Sequence, residues 1–135
     1  MKIAVCLDDQ NGMLFGGRRQ SKDRCLRQRL LELVQPNLLW MNEFSAKQFA
    51  PTDAIRVAED FLEVAPQEDW CFVENVDILP HKDQIRYIAV YRWNRLYPSD
   101  TKFPVEAFCQ SWQQISTRTF PGHSHDEITE EIYRL

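Results

Sequence analysis

The chain has 135 residues and 44% hydrophobic content, enough for a core in one domain spanning 1–135 and too little for two. A net charge of −4 and a pI of about 5.4 remove nucleic acid as the default partner. Cys6, Cys25, Cys71 and Cys109 are widely spaced with no Cys-x-x-Cys pair, which argues against a zinc ribbon or a dithiol redox site. They read as reduced, mostly buried thiols of a cytoplasmic protein.

"KIAVCL" is a short apolar run with a β-branched share, ended by "DDQNG", and predicts a buried first strand. It is too short for a signal peptide, and no stretch approaches membrane-spanning length, so no membrane contact is expected. "MLFGGRRQS" reads as a glycine-punctuated loop. Ser21 is suited to cap a helix with Asp23 in its first turn, where the dipole favours an acid. Leu26, Leu30, Leu33 and Val34 then fall on one helical stripe that Pro36 ends.

"NLLWM" predicts a second strand and "SAKQFA" a helical turn stopped by Pro51. "AIRVA" predicts a brief strand, "EDFLEVA" a helical piece, and "DWCFVEN" a third buried strand. "VDILPHKDQ" predicts a short helix or turn ended at Pro80. "IRYIAVYRWN" is the longest strand candidate, with Ile85, Tyr87, Ala89, Tyr91 and Trp93 on one face. "YPSDTKFP" is a turn-rich connection. "SWQQISTRTF" and "EITEEIYRL" suit a closing pair of strands, the latter also a helix. The expected class is α/β: a mainly parallel sheet with an antiparallel C-terminal edge and flanking helices.

That order of pieces resembles dihydrofolate reductase over nearly the whole chain. "IRYIAVYRWN" leads to "SDTKFP", where the reductases carry a Gly-Asp-Thr-x-Phe-Pro run. Trp112, a long strand, a His-containing loop and the ending "EEIYRL" follow as in the family. "VDILPHKDQI" is similar to the short helix and Leu-Pro turn before the same strand, and "KIAVCLDDQNGM" to the first strand and its glycine loop. Asp23 falls where the family places its pterin-binding carboxylate. The chain would be a shortened, divergent member, with the missing residues in the middle.

The departures concentrate in the ligand sites. Where reductases have a Gly-Gly pair that lets the backbone approach the dinucleotide phosphates, this chain has Glu74 and Asn75. Where they have Gly-Arg-x-Thr, it has "MNEFS", with Asn42 and Glu43 and only Ser45 keeping a hydroxyl. The Trp beside the pterin is replaced within "FGGRRQS". The Arg that pairs with the folate carboxylate has no counterpart in "FAPTDA". A Thr that supports the pterin aligns with Tyr91. The resemblance therefore implies a retained scaffold without an NADPH site, serving as a binding or interaction protein with no cofactor. An alternative is an active NADPH-dependent pterin reductase in which Asp23 orients the pterin and aids its protonation. The plain alternative for Asp23 is an exposed acid in the first helical turn.

His123, His125 and Asp126 in "GHSHDEI" resemble half of the zinc motif of metallo-β-lactamase-type nucleases, including ribonuclease Z, which would make a metal hydrolase. That fold needs further ligands downstream. Only nine residues follow Asp126, and the only other histidine is His81. The plain alternative is a polar turn before the last strand.

Residues 18–29, "RRQSKDRCLRQR", hold six basic residues against one acid. Most of that run suits the solvated face of a helix, while Arg18 and Arg19 sit in a glycine loop on the substrate side. "YRWNRLY" adds Arg92, Trp93 and Arg95, the mix of aromatics and arginine that is enriched at interfaces. These five residues form the expected binding surface, for a protein partner or a small anionic ligand rather than nucleic acid. The plain alternative for the strand puts Tyr91 and Trp93 in the core with the arginines outward.

Overall fold

A computed structural model describes residues 1–108 and 112–135. Cys109, and Ser111 at the head of the "SWQQISTRTF" segment, lie outside the described residues.

The apolar runs become parallel strands because helices and loops cover both faces of the sheet. β1 (Lys2–Leu7) is central, with Ile3, Ala4, Val5 and Leu7 fully buried. The seven strands are β1, β4 (Leu39–Met41), β5 (Ile55–Val57), β6 (Trp70–Val73), β7 (Tyr87–Arg92), β9 (Gln113–Phe120) and β10 (Ile128–Arg134). Their order is β5-β4-β6-β1-β7-β10-β9. β1 pairs parallel with β6 and β7, and β10 runs antiparallel to both β7 and β9. The expected class, with its antiparallel C-terminal edge, is the observed one.

Alternation sends side chains to two cores. On one face Ile3, Val5, Val73, Ile88 and Val90 pack with Phe61 and Leu62 of α3 (Phe61–Val64). On the other, Ala4, Phe72, Ala89, Tyr91 and Trp93 pack under Leu26, Leu30 and Val34 of α1 (Arg24–Val34). α1 stops at Val34 because the residue before a proline is pushed out of the helical region, and Gln35 has ψ 142°. α2 (Glu43–Ala46) is capped by Asn42, whose side chain accepts from Ser45 N.

Three local expectations are corrected, and one left open is decided. Asp23, not Ser21, caps α1: its backbone is extended and its carboxylate accepts from Cys25 N and Leu26 N. "MLFGGRRQS" is a hairpin rather than a loop, with β2 (Gly12–Phe15) antiparallel to β3 (Arg18–Arg19). Gly16 and Gly17 have φ of +59° and +73°, the two left-handed residues that a tight hairpin requires. β8 (Thr101–Lys102), inside the turn-rich connection, joins this hairpin in a small second sheet. Pro80 opens the 3-10 helix Leu79–Gln84 rather than closing it, since a missing N–H costs nothing in a first turn. "EITEEIYRL" is strand and not helix.

The described thiols Cys6, Cys25 and Cys71 are free. Burial pushes Cys71 up to about 12, and burial followed by the charge of Glu74 raises Cys6. Neither is poised as a thiolate. No helix among the described residues is long and apolar enough to cross a membrane.

Candidate functional site

The carboxyl ends of parallel strands form the crevice where open α/β sheets receive ligands. Here part of that crevice is filled by the protein's own side chains. β6 runs directly into Glu74, which is buried. Arg19, delivered by the hairpin, meets it with two parallel hydrogen bonds, Nε to Oε2 at 3.0 Å and Nη2 to Oε1 at 3.1 Å. Gln48 donates to the same carboxylate at 2.9 Å. The guanidinium also donates to Phe44 O and lies 4.4 Å from the Phe44 ring centroid. Next along, Asn42 donates to the Asn75 side chain at 2.8 Å. The space left between Cys6, Met13, Arg19, Ser21, Glu74 and Trp93 is about 10 Å³, roughly one water. A second opening of about 330 Å³ borders the same strand end, lined by Met13, Glu74, Asn75, Val76, Lys102 and Phe103.

Asp23 is 2% exposed, so it is neither an exposed acid nor in the first helical turn. Its Oδ1 accepts from Cys25 N at 2.8 Å, Leu26 N at 3.3 Å and His123 N at 3.0 Å. Its Oδ2 accepts from Ser124 N at 2.8 Å and contacts His125 Nδ1 at 2.8 Å. Burial opposes the charge, but the hydrogen bonds from His123 N, the His125 ring, Ser124 N and Leu26 N outweigh it. They hold the carboxyl well below its ordinary range. An ionised Asp23 requires a proton on His125 Nδ1. Ser21 Oγ and Tyr97 Oη each lie 3.0 Å from Nε2. The ring is buried, stacked on Trp93 at 4.6 Å.

A third polar group lies under α1. Glu130 is 1% exposed, accepts from Arg29 Nε at 2.9 Å and Nη2 at 3.0 Å, and accepts from the Tyr91 hydroxyl at 2.8 Å. Burial, then the charge and hydrogen bond of Glu130, raises the Tyr91 phenol far above its ordinary value, so it stays neutral.

The five residues of the expected binding surface have separate fates. Arg18 and Arg95 are exposed. Arg19 is engaged by Glu74. Arg92 pairs with Glu131 at 3.1 Å and also donates to Asn11 and Asp8 O. Trp93 is buried at 3% and belongs to the core around His125, so it is no part of a surface. His123 and Asp126 are exposed. His123 meets Arg24 while His125 meets Asp23, so the two imidazoles serve different partners. Among the described residues no group of three or more His, Cys, Asp or Glu could hold a metal.

Ser21, Tyr97, Glu130 and Asp8 carry polar networks that sequence reasoning missed. Asp8 is fully buried and accepts from Gly12 N, Gln10 N, the Gln20 side chain and Tyr97 N. Its local signal was the acid-to-glycine turn after β1. The others had none, because their partners lie tens of residues away.

No protein-family model matches the sequence, and no curated protein matches it. Solved structures do match. One is a dihydrofolate reductase from Enterococcus faecalis, complexed with NADP(H) and RAB-propyl, with a TM-score of 0.68 at 10% identity. The match covers 98% of this chain and 94% of that one. At that identity the likeness is one of fold.

Proposed function

From a dihydrofolate reductase fold, we propose that this chain no longer reduces pterins and works as a binding domain. The observation that carries this is the Arg19–Glu74 pair, which fills the crevice at the end of β6 to about 10 Å³ and sets the Glu74 side chain in the wall of the neighbouring opening of about 330 Å³.

The residues present do not fit NADPH. Close approach of phosphates calls for backbone without side chains and for cationic or N–H donors. Glu74 and Asn75 put side chains there, one of them anionic. Arg19 beside them is neutralised by Glu74. Nor does the carboxylate expected to orient a pterin stand free. Both Asp23 oxygens are already occupied by four backbone N–H groups and an imidazole. Tyr91, at the position of the pterin-supporting Thr, fills the core instead.

The surface that remains for binding is cationic. Arg18 at the hairpin and Arg95 after β7 are exposed, as are Lys22 and Arg24 near the start of α1. They suit an acidic protein face or a small anion. The first test is spectrophotometric: NADPH oxidation with dihydrofolate should not exceed the buffer rate. Turnover that saturates in both substrates would refute the proposal.

A further inference from the structure

Three side chains outside the proposed binding surface stand in the order of a nucleophile, a base and an orienting acid. Ser21 Oγ is 3.0 Å from His125 Nε2, and His125 Nδ1 is 2.8 Å from Asp23 Oδ2. Each distance lies within hydrogen-bond reach, and the imidazole is used through both nitrogens in the sense that proton transfer requires. We propose that Ser21 is an acyl-accepting nucleophile, with His125 as its general base and Asp23 as the positioning residue.

The surroundings are built for this ring. Trp93 stacks on His125 at 4.6 Å and 25°, which fixes its plane. Asp23 is itself locked by four backbone N–H groups from α1 and the loop before β10. The loop is packed so tightly that a Cβ at Gly122 would fall 2.8 Å from Asp23 Oδ2 and 2.7 Å from His125 O. Ser21 is partly exposed, unlike the acid and the ring behind it. A cavity of about 600 Å³ borders His125, lined also by Trp93, Arg95, Ser124, Asp126 and Glu127. The backbone N–H groups of Ser21 and Lys22 have no partner among the described residues. With the Tyr97 hydroxyl, they are the donors at hand for a developing oxyanion.

The chemistry is ester hydrolysis in two halves. Ser21 Oγ attacks the carbonyl carbon while its proton passes to His125 Nε2. The tetrahedral intermediate collapses, the bond to the leaving oxygen breaks, and that oxygen takes the proton from Nε2. Water, deprotonated by the same nitrogen, then attacks the acyl-serine. It releases the carboxylic acid and restores Ser21–OH. No redox partner or metal is needed. The cavity beside His125 sets Arg95 against Asp126 and Glu127, so the substrate class is a small uncharged ester.

The test is labelling of the intact protein with a fluorophosphonate, which traps serines activated in this way. The expected result is one adduct per chain, located on Ser21 by peptide mass spectrometry and absent from Ser21→Ala. His125→Gln should slow labelling about 100-fold or more, the usual weight of a general base. A urea midpoint for His125→Gln close to that of the parent separates slower labelling from a failure to fold. Failure to label Ser21, or labelling no faster than in the urea-unfolded chain, would overturn the assignment and leave the trio a structural network. NADPH binding is a separate measurement, so either proposal can fail without the other.

Discussion

Asp23 joins two segments that are 100 residues apart in sequence. It caps α1 and at the same time holds the loop before β10 through His123 N, Ser124 N and the His125 ring. Replacement by Asn keeps the size but puts an N–H₂ against N–H donors, so buried groups lose their acceptor. The expected cost is about 1–3 kcal/mol, read as a lower midpoint in urea with an unchanged slope. The pH dependence follows from the depressed carboxyl. Its folded-state pKa lies below the unfolded one, so the stabilisation is fully present above roughly pH 4 and is lost as pH falls toward the folded-state value. Asp8 is shifted in the same direction: burial works against its charge, but hydrogen bonds from Gly12 N, Gln10 N, Gln20 and Tyr97 N prevail. Stability should therefore fall below pH 4 in the parent and fall less steeply in Asp23→Asn. Parallel curves for the two would show that Asp23 contributes nothing to the acid limb.

At the scale of elements, the Arg19–Glu74 pair ties the β2–β3 hairpin to the end of β6. Glu74 has 7% of its side chain exposed and Arg19 23%, so the pair is partly screened. Glu74→Gln should cost about 1–3 kcal/mol by leaving a half-buried guanidinium without its counter-charge. Removing both partners with Arg19→Met in the Glu74→Gln background should recover part of that loss. Thermal unfolding of the two singles and the double measures it; simple additivity would contradict a direct coupling. Much of the element order was legible, because "KIAVCL", "NLLWM", "DWCFV" and "IRYIAVYR" are apolar runs of strand length, broken at Pro36, Pro51 and Pro66. The hairpin was hidden because "GG" supports either a loop or a left-handed turn, and only pairing of Leu14 with Arg19 decides between them. The site was less legible. Departures at Glu74 and Asn75 were visible one residue at a time, but the seal they form with Arg19, Gln48 and Asn42 depends on contacts across 26 to 55 residues. In "ITEEIYR" nothing local says that Glu130 turns inward while Glu131 meets Arg92. Register against β7 makes that choice.

For the whole molecule, the proposal is that the scaffold is kept while the ligand chemistry has changed. The fold is that of a dihydrofolate reductase, and the end of β6 carries the Arg19–Glu74 pair. Arg18 and Arg95 are among the groups open to solvent. Substituting Arg18 and Arg95 together by Glu should leave stability within about 0.5 kcal/mol, as for other exposed positions. It should also abolish the amide chemical-shift changes that pyrophosphate causes around those two residues in the parent. A parent whose amides do not move would contradict a cationic binding face there.

The central claim, that the crevice no longer takes the dinucleotide, meets its most direct test in isothermal titration of the intact protein with NADPH. A ligand at 100 times its Kd would add about 2.7 kcal/mol of stability, so a parallel melting scan checks the same equilibrium independently. The account predicts no saturable heat and an unmoved Tm. A one-to-one isotherm with a matching rise in Tm would contradict it.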